Sequence, residues 1–200
     1  MIKANTERAG QLVAVGGGMA FPDRIVIEVQ DEPETAFDLT IEVEYSDELR
    51  RYWVRDLQLK ARSSSVEITM RNINRLTIQE YVVTGLSQLA FFDISQAKFM
   101  GFTALSFVPG IQQALTESGA PSDTLRSVYL TYRIGEILNI KPTKHMAASL
   151  SVPYATGADW LGKARRNGVF TEMDDITKDI AKLAGIPTPN LSKALLDGNH

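Results

Sequence analysis

Side chains able to do covalent or metal chemistry are scarce in this chain. The absence of cysteine excludes a disulfide framework, a thiolate zinc site and a cysteine nucleophile together. Two histidines, His145 and His200, cannot build a histidine-rich metal centre. Gly16–Gly18 is followed by neither a Lys-Ser/Thr pair nor a helical pattern, which argues against a phosphate-binding loop. Nothing converges on the acidic cluster Asp31–Glu34, and it reads as a solvated turn. No catalytic triad, paired-carboxylate motif or cofactor fingerprint is visible. The expectation is a protein that is not an enzyme and takes no cofactor or metal. The informative chemistry is charge. From Asp23 to Glu48, ten acidic residues stand against Arg24 alone. From Lys141 to Arg166 the order reverses, with Lys141, Lys144, Lys163, Arg165 and Arg166 against Asp159. A net charge of −3 over 200 residues conceals both fields, and the second suits a polyanion.

The basic segment, Lys141–Phe170, reads KPTKHMAASLSVPYATGADWLGKARRNGVF. Pro153 splits it into two helical stretches, because proline favours a helix start and forces Val152 out of the helical region. At 100° per residue, Gly157, Trp160, Leu161 and Ala164 share one face of the second stretch. The opposite face holds Ala155, Asp159, Gly162, Lys163 and Arg166, with Thr156 on its flank. That face is small, polar and mostly basic, suited to a major groove about 12 Å wide. Ala147 is small enough to let the two helices cross closely, above a core of Leu150, Val152, Trp160 and Leu161.

Read from Thr143, the segment resembles the helix-turn-helix of bacterial repressors such as the lac repressor family. Met146 and Ala147 match the apolar-then-Ala pair of the first helix, and Leu150 the apolar residue three positions on. Ser151 and Val152 stand at the turn, where Gly and an apolar residue are usual. The ending WLGKARRNGVF is similar to the ends of such motifs in small actinobacterial and phage regulators. The resemblance implies a sequence-specific DNA-binding protein, a transcriptional regulator. Its double-stranded DNA contacts would come from Lys144, Tyr154, Ala155, Thr156, Asp159, Lys163, Arg165 and Arg166. Lys163, Arg165 and Arg166 would hold phosphates, and Asp159 would accept from cytosine. Two departures stand out. Ser151 must accept a turn conformation that glycine usually supplies, and Gly157 replaces a common β-branched residue, at about 1 kcal/mol in helix propensity. A phage-type structural or DNA-packaging component, and a protein-interaction adaptor, are the alternative classes.

The elements that must carry this motif read as an α+β protein. Residues 1–76 form a β-rich domain, 77–120 an apolar helical connector, 121–187 the helix-turn-helix domain without a wing, and 188–200 a frayed tail. Arg24–Gln30 and Phe37–Tyr45 alternate at period two, as in a sheet wet on one side. Tyr52–Ala61 and Ser65–Met70 extend an antiparallel meander of four strands. Arg50 to Arg75 carries seven basic residues against Asp56 and Glu67, most simply cross-strand matching to the acidic pair of strands. A helix is expected over Thr77–Phe91, with Thr77 and Glu80 as a capping box. Phe99, Phe102 and Phe107 should pack inside the protein. A helix from about Asp123 to Leu138 is apolar on two sides and should lie between neighbours. A last helix should begin at Thr171, capped by Thr171 and Asp174, with Ile176, Ile180 and Leu183 as its buried stripe. His145 reads as a surface residue. Segment 121–187 is expected to fold alone, and useful specificity then requires a homodimer or higher oligomer. The apolar connector is the first candidate for that pairing, with the β-domain serving oligomerisation, sensing or a protein partner. The N-terminus lacks a signal-peptide layout, and Phe99–Thr116 carries too many polar residues and a proline to span hydrocarbon. The expected setting is cytoplasmic.

Overall fold

The computed structural model describes residues 1–33, 35–93, 98–101 and 122–186. The fold is α+β, built, among the described residues, on two antiparallel sheets and six α-helices. The first sheet has the order β1 (Ile2–Asn5), β4 (Arg24–Val29), β5 (Phe37–Ser46) and β6 (Arg51–Ala61). Alternation in β5 is complete: Phe37, Leu39, Ile41, Val43 and Tyr45 are buried, while the residues between them are half-buried. Cross-strand charge matching is present. Arg62 Nε donates to Asp38 at 2.8 Å, and Arg55 pairs with Glu44.

Ser65–Met70 is not a strand. Its residues are exposed or half-buried, and the Thr69 hydroxyl instead accepts from Asn72 N, capping the short helix α1 (Met70–Ile73). The fourth strand of the sheet is β1, which at four residues is too short to display a period.

The second sheet has the order β2 (Leu12–Gly16), β3 (Met19–Pro22), β7 (Ala90–Asp93) and β8 (Lys98–Gly101). The hairpin β2–β3 is buried on both faces, which erases alternation from its sequence. Val15, Met19 and Phe21 join the main core with β4 and β5, while Ala14 and Ala20 meet Ala181 on the other side.

Helix α2 (Ile78–Ser87) is shorter than the expected Thr77–Phe91, because the chain re-enters a sheet at Ala90. Thr77 makes no side-chain cap, so the capping box does not form. Gly85 lets α2 approach β4: a Cβ there would lie 2.7 Å from Ile27. The connector 77–120 is therefore not purely helical. Phe99 lies on β8, while Phe102, Phe107 and the tail 188–200 lie outside the described residues. Among the described residues, no helix is long and apolar enough to cross a membrane.

Helix α3 (Ser122–Ile137) lies between two cores, as its two apolar sides require. Ile134 and Ile137, with Leu138 beyond its end, enter the sheet core. Leu125, Val128 and Tyr129 enter a second core with α4 (Pro142–Ser149), α5 (Tyr154–Arg166) and α6 (Val169–Ala184).

Helix α6 departs most from expectation. It begins two residues early, after Gly168 at φ 73°, so Thr171 is no cap. Its buried face is Val169, Asp174, Thr177 and Ala181. Of the expected stripe, Ile180 is half-buried against Ala14, Ala20 and Ala181, while Ile176, 37% exposed, and Leu183, 89% exposed, face outward. Ala181 meets Ala14 and Ala20 of the hairpin at the centre of this contact, with Ile180 packed at its side.

Candidate nucleic-acid interface

The chain turns from α4 into α5 through a left-handed residue. Ser151 has φ 53°, Ser151 N donates to Ala148 O at 3.0 Å, and Val152 N donates to Ala147 O at 2.9 Å. This double bond pattern closes a helix end and normally selects glycine. Pro153, at φ −55° and ψ 145°, then starts α5.

The two helices touch where both are smallest. A Cβ on Gly157 would lie 2.9 Å from the Ala147 Cβ, so a β-branched residue there would force the helices apart. Gly157 and Ala147 are thus one size-matched contact. Gly157, Trp160, Leu161 and Ala164 are the buried residues of α5, the same four that share a face in the sequence. Truncating Trp160 to Ala removes a buried ring at a cost of about 3–5 kcal/mol.

Both helices of the pair present bare N-termini. Neither α4 nor α5 has a side-chain cap or an acidic residue in its first turn. Their free N–H groups and dipoles favour an anion. Lys141, Pro142, Thr143, Lys144 and Tyr154 line one open concavity at these starts, bringing Lys144 to Tyr154. Lys141 was not among the expected contact residues, although its Lys-Pro-Thr-Lys context carries the signal.

Along α5, Tyr154 is 62% exposed, Ala155, Lys163 and Arg166 are exposed, and Thr156 is half-buried. Asp159 Oδ2 pairs with Lys163 Nζ at 2.9 Å, one turn apart. Arg165 reaches toward α3 and α6. Its Nη2 donates to the Tyr132 hydroxyl at 3.2 Å, and its guanidinium lies 5.4 Å from the Tyr132 and Phe170 ring centres. Arg165 thereby bridges α5 to α3 and α6 while remaining exposed. His145 is half-buried rather than at the surface, and burial holds its imidazole below the usual value.

The sequence gives no hint of a second group of polar residues, which ties this module to the sheets. Arg133 of α3 is fully buried, donating to Val15 O, Arg50 O, Glu136 and the Tyr45 hydroxyl at 2.6–3.0 Å. The Tyr129 hydroxyl donates to Asp174, which also pairs with Arg50 at 3.3 Å. Burial and the Asp174 charge push the Tyr129 phenol far up. The glycine run is the hairpin tip pressed into this group. Gly16 has φ 107°, and a Cβ there would lie 2.7 Å from the Tyr129 oxygen. Gly18 N donates to Thr177 Oγ1 at 2.7 Å.

Among the described residues, no three His, Asp or Glu side chains are grouped to hold a metal ion. No family model matches the chain, and no curated protein or solved structure matches it either.

Proposed function

We propose that this chain is a sequence-specific DNA-binding protein, a regulator of transcription, which reads the major groove with α5 and holds phosphates around the start of α4. One observation carries the reading. The small-residue contact between Ala147 and Gly157 turns the apolar face of α5 inward and leaves Ala155, Asp159, Lys163 and Arg166 outside, beside two bare helix N-termini. Double-stranded DNA fits this surface because phosphates suit the helix starts and Lys141, Lys144, Lys163 and Arg166. Thr156 offers a methyl group and a hydroxyl to a base edge, and Tyr154 reaches either a base or a phosphate.

A single motif offers few base contacts, so useful specificity requires two copies on paired half-sites. Selection of bound sequences from a random duplex pool tests the proposal. The expected result is a short enriched motif, with binding by the Lys144→Ala/Lys163→Ala/Arg166→Ala variant weakened on all duplexes alike. A pool without enrichment, bound equally by that variant, refutes it.

The second reading is an assembly or adaptor protein that uses the same helical module against another protein. The outward Ile176 and Leu183 of α6 favour it. Retention of such a partner by a variant with both residues changed to Lys would argue against it.

A further inference from the structure

The first sheet ends on its longest strand. Strand β6 spans eleven residues and, among the described residues, pairs only with β5, while the opposite edge, β1, has four. Among the described residues, no backbone hydrogen bond runs from β6 to any other element. An edge of this length is an open template for another strand unless charge, proline or distortion blocks it. The one irregularity, a register shift between Glu42 and Val43 that leaves Arg55 without an opposite residue in the ladder, lies in its first half. Residues Asp56 to Ala61 continue in unbroken register and contain no proline. Their core-facing side chains, Leu57 and Leu59, are only half-buried, where the sheet core reaches solvent.

We propose that β6 pairs antiparallel with β6 of a second copy of this chain, centred on Gln58, joining two four-stranded sheets into one. The occupant follows from the residue order. With Gln58 opposite itself, Asp56 faces Lys60 of the second copy and Lys60 faces Asp56. Leu57 faces Leu59, and Leu59 faces Leu57. Core-facing residues thus meet core-facing residues, as antiparallel pleating demands. Both charged pairs are attractive on the outer face, and Lys60, which alone would discourage edge pairing, becomes a contact. Centring on Leu57 sets Asp56 against Gln58 and Lys60 against Val54 and loses both charge pairs, and centring on Asp56 puts Asp56 against itself. Centring between Arg55 and Asp56 sets the bulge against itself and Arg51 against Lys60. This dimer does not depend on the chain binding DNA.

The test measures the molar mass of the full-length chain against concentration, without DNA, by sedimentation. Asp56→Lys opposes two lysine pairs across the seam and should weaken the dimer about tenfold or more. Within the sheet the same change faces Glu42 and removes a like-charge contact, so misfolding is no explanation for the loss. Lys60→Asp should weaken the dimer similarly, and the double variant Asp56→Lys/Lys60→Asp should restore it. Amide exchange of residues 56–60 should slow with concentration in the unaltered chain and the double variant only. A chain that is monomeric at every concentration overturns the proposal. So does a dimer indifferent to the single changes, or one that the double variant fails to restore.

Discussion

Replacing Asp159 by Ala separates base reading from simple charge on α5. Asp159 is paired with Lys163 at 2.9 Å, with both side chains about half exposed. A helical pair of this kind is worth about 0.3–0.5 kcal/mol. A good base contact discriminates by about 1–3 kcal/mol, enough to draw Asp159 from Lys163 when cytosine is in reach. On a duplex of random sequence the pair stays closed, and Lys163 is partly neutralised. Asp159→Ala then frees Lys163 for a phosphate, and the slope of log affinity against log salt steepens by about 0.9. On the selected site the variant loses the base contact, and its affinity falls about fivefold to a hundredfold. Anisotropy titrations of both duplexes at several salt concentrations measure the two effects, with thermal unfolding as the control for folding. A gain of equal size on every sequence would mean that Asp159 faces the backbone and specifies nothing. An equal loss on both, with a lowered melting temperature, would assign it a structural role and refute the reasoning.

Gly16→Ala should destabilise the fold by about 3 kcal/mol or more, because φ 107° is strained for alanine and the new Cβ meets the Tyr129 oxygen. Gly18→Ala, at φ 72° with nothing within 4 Å, should cost only about 1–2 kcal/mol; equal effects in denaturant titrations would refute the close-approach argument. The isolated segment 121–187 should not fold stably, because it leaves Arg133 without Val15, Arg50 and Tyr45 and exposes Ile134, Ile137 and Leu138. Cooperative thermal unfolding of that fragment would contradict this. Burial lowers the folded-state value of His145 from 6.5, so the unfolded chain takes up a proton first as pH falls. Its stabilising contribution is complete above about pH 6.5 and is lost as pH drops toward the folded value. His145→Gln should flatten the stability profile between about pH 7.5 and 5.5, and an unchanged slope would show that His145 is freely solvated.

Local pattern determined much of this protein. Period-two alternation marked β4 and β5, the run Tyr52–Ala61 read as a strand and is β6, and the two apolar sides of α3 announced a helix shared between cores. The inner face of α5 and the left-handed turn at Ser151 were legible because spacing and steric rules act within a few residues. Tertiary structure alone decided the rest. Strands β1, β2 and β3 are short or buried on both faces, so no alternation marks them. The inward face of α6 was decided by its contacts with the hairpin, Ala181 against Ala14 and Ala20 and Thr177 accepting from Gly18 N, which leave Ile176 and Leu183 outward. The contacts of Arg165 with Tyr132 and Phe170 exist only because α3 and α6 pack beside α5. Asp174 served as a buried partner of Tyr129 and Arg50, not as a helix cap. Each of these outcomes depends on residues far apart in the chain, whose meeting no local period or propensity encodes.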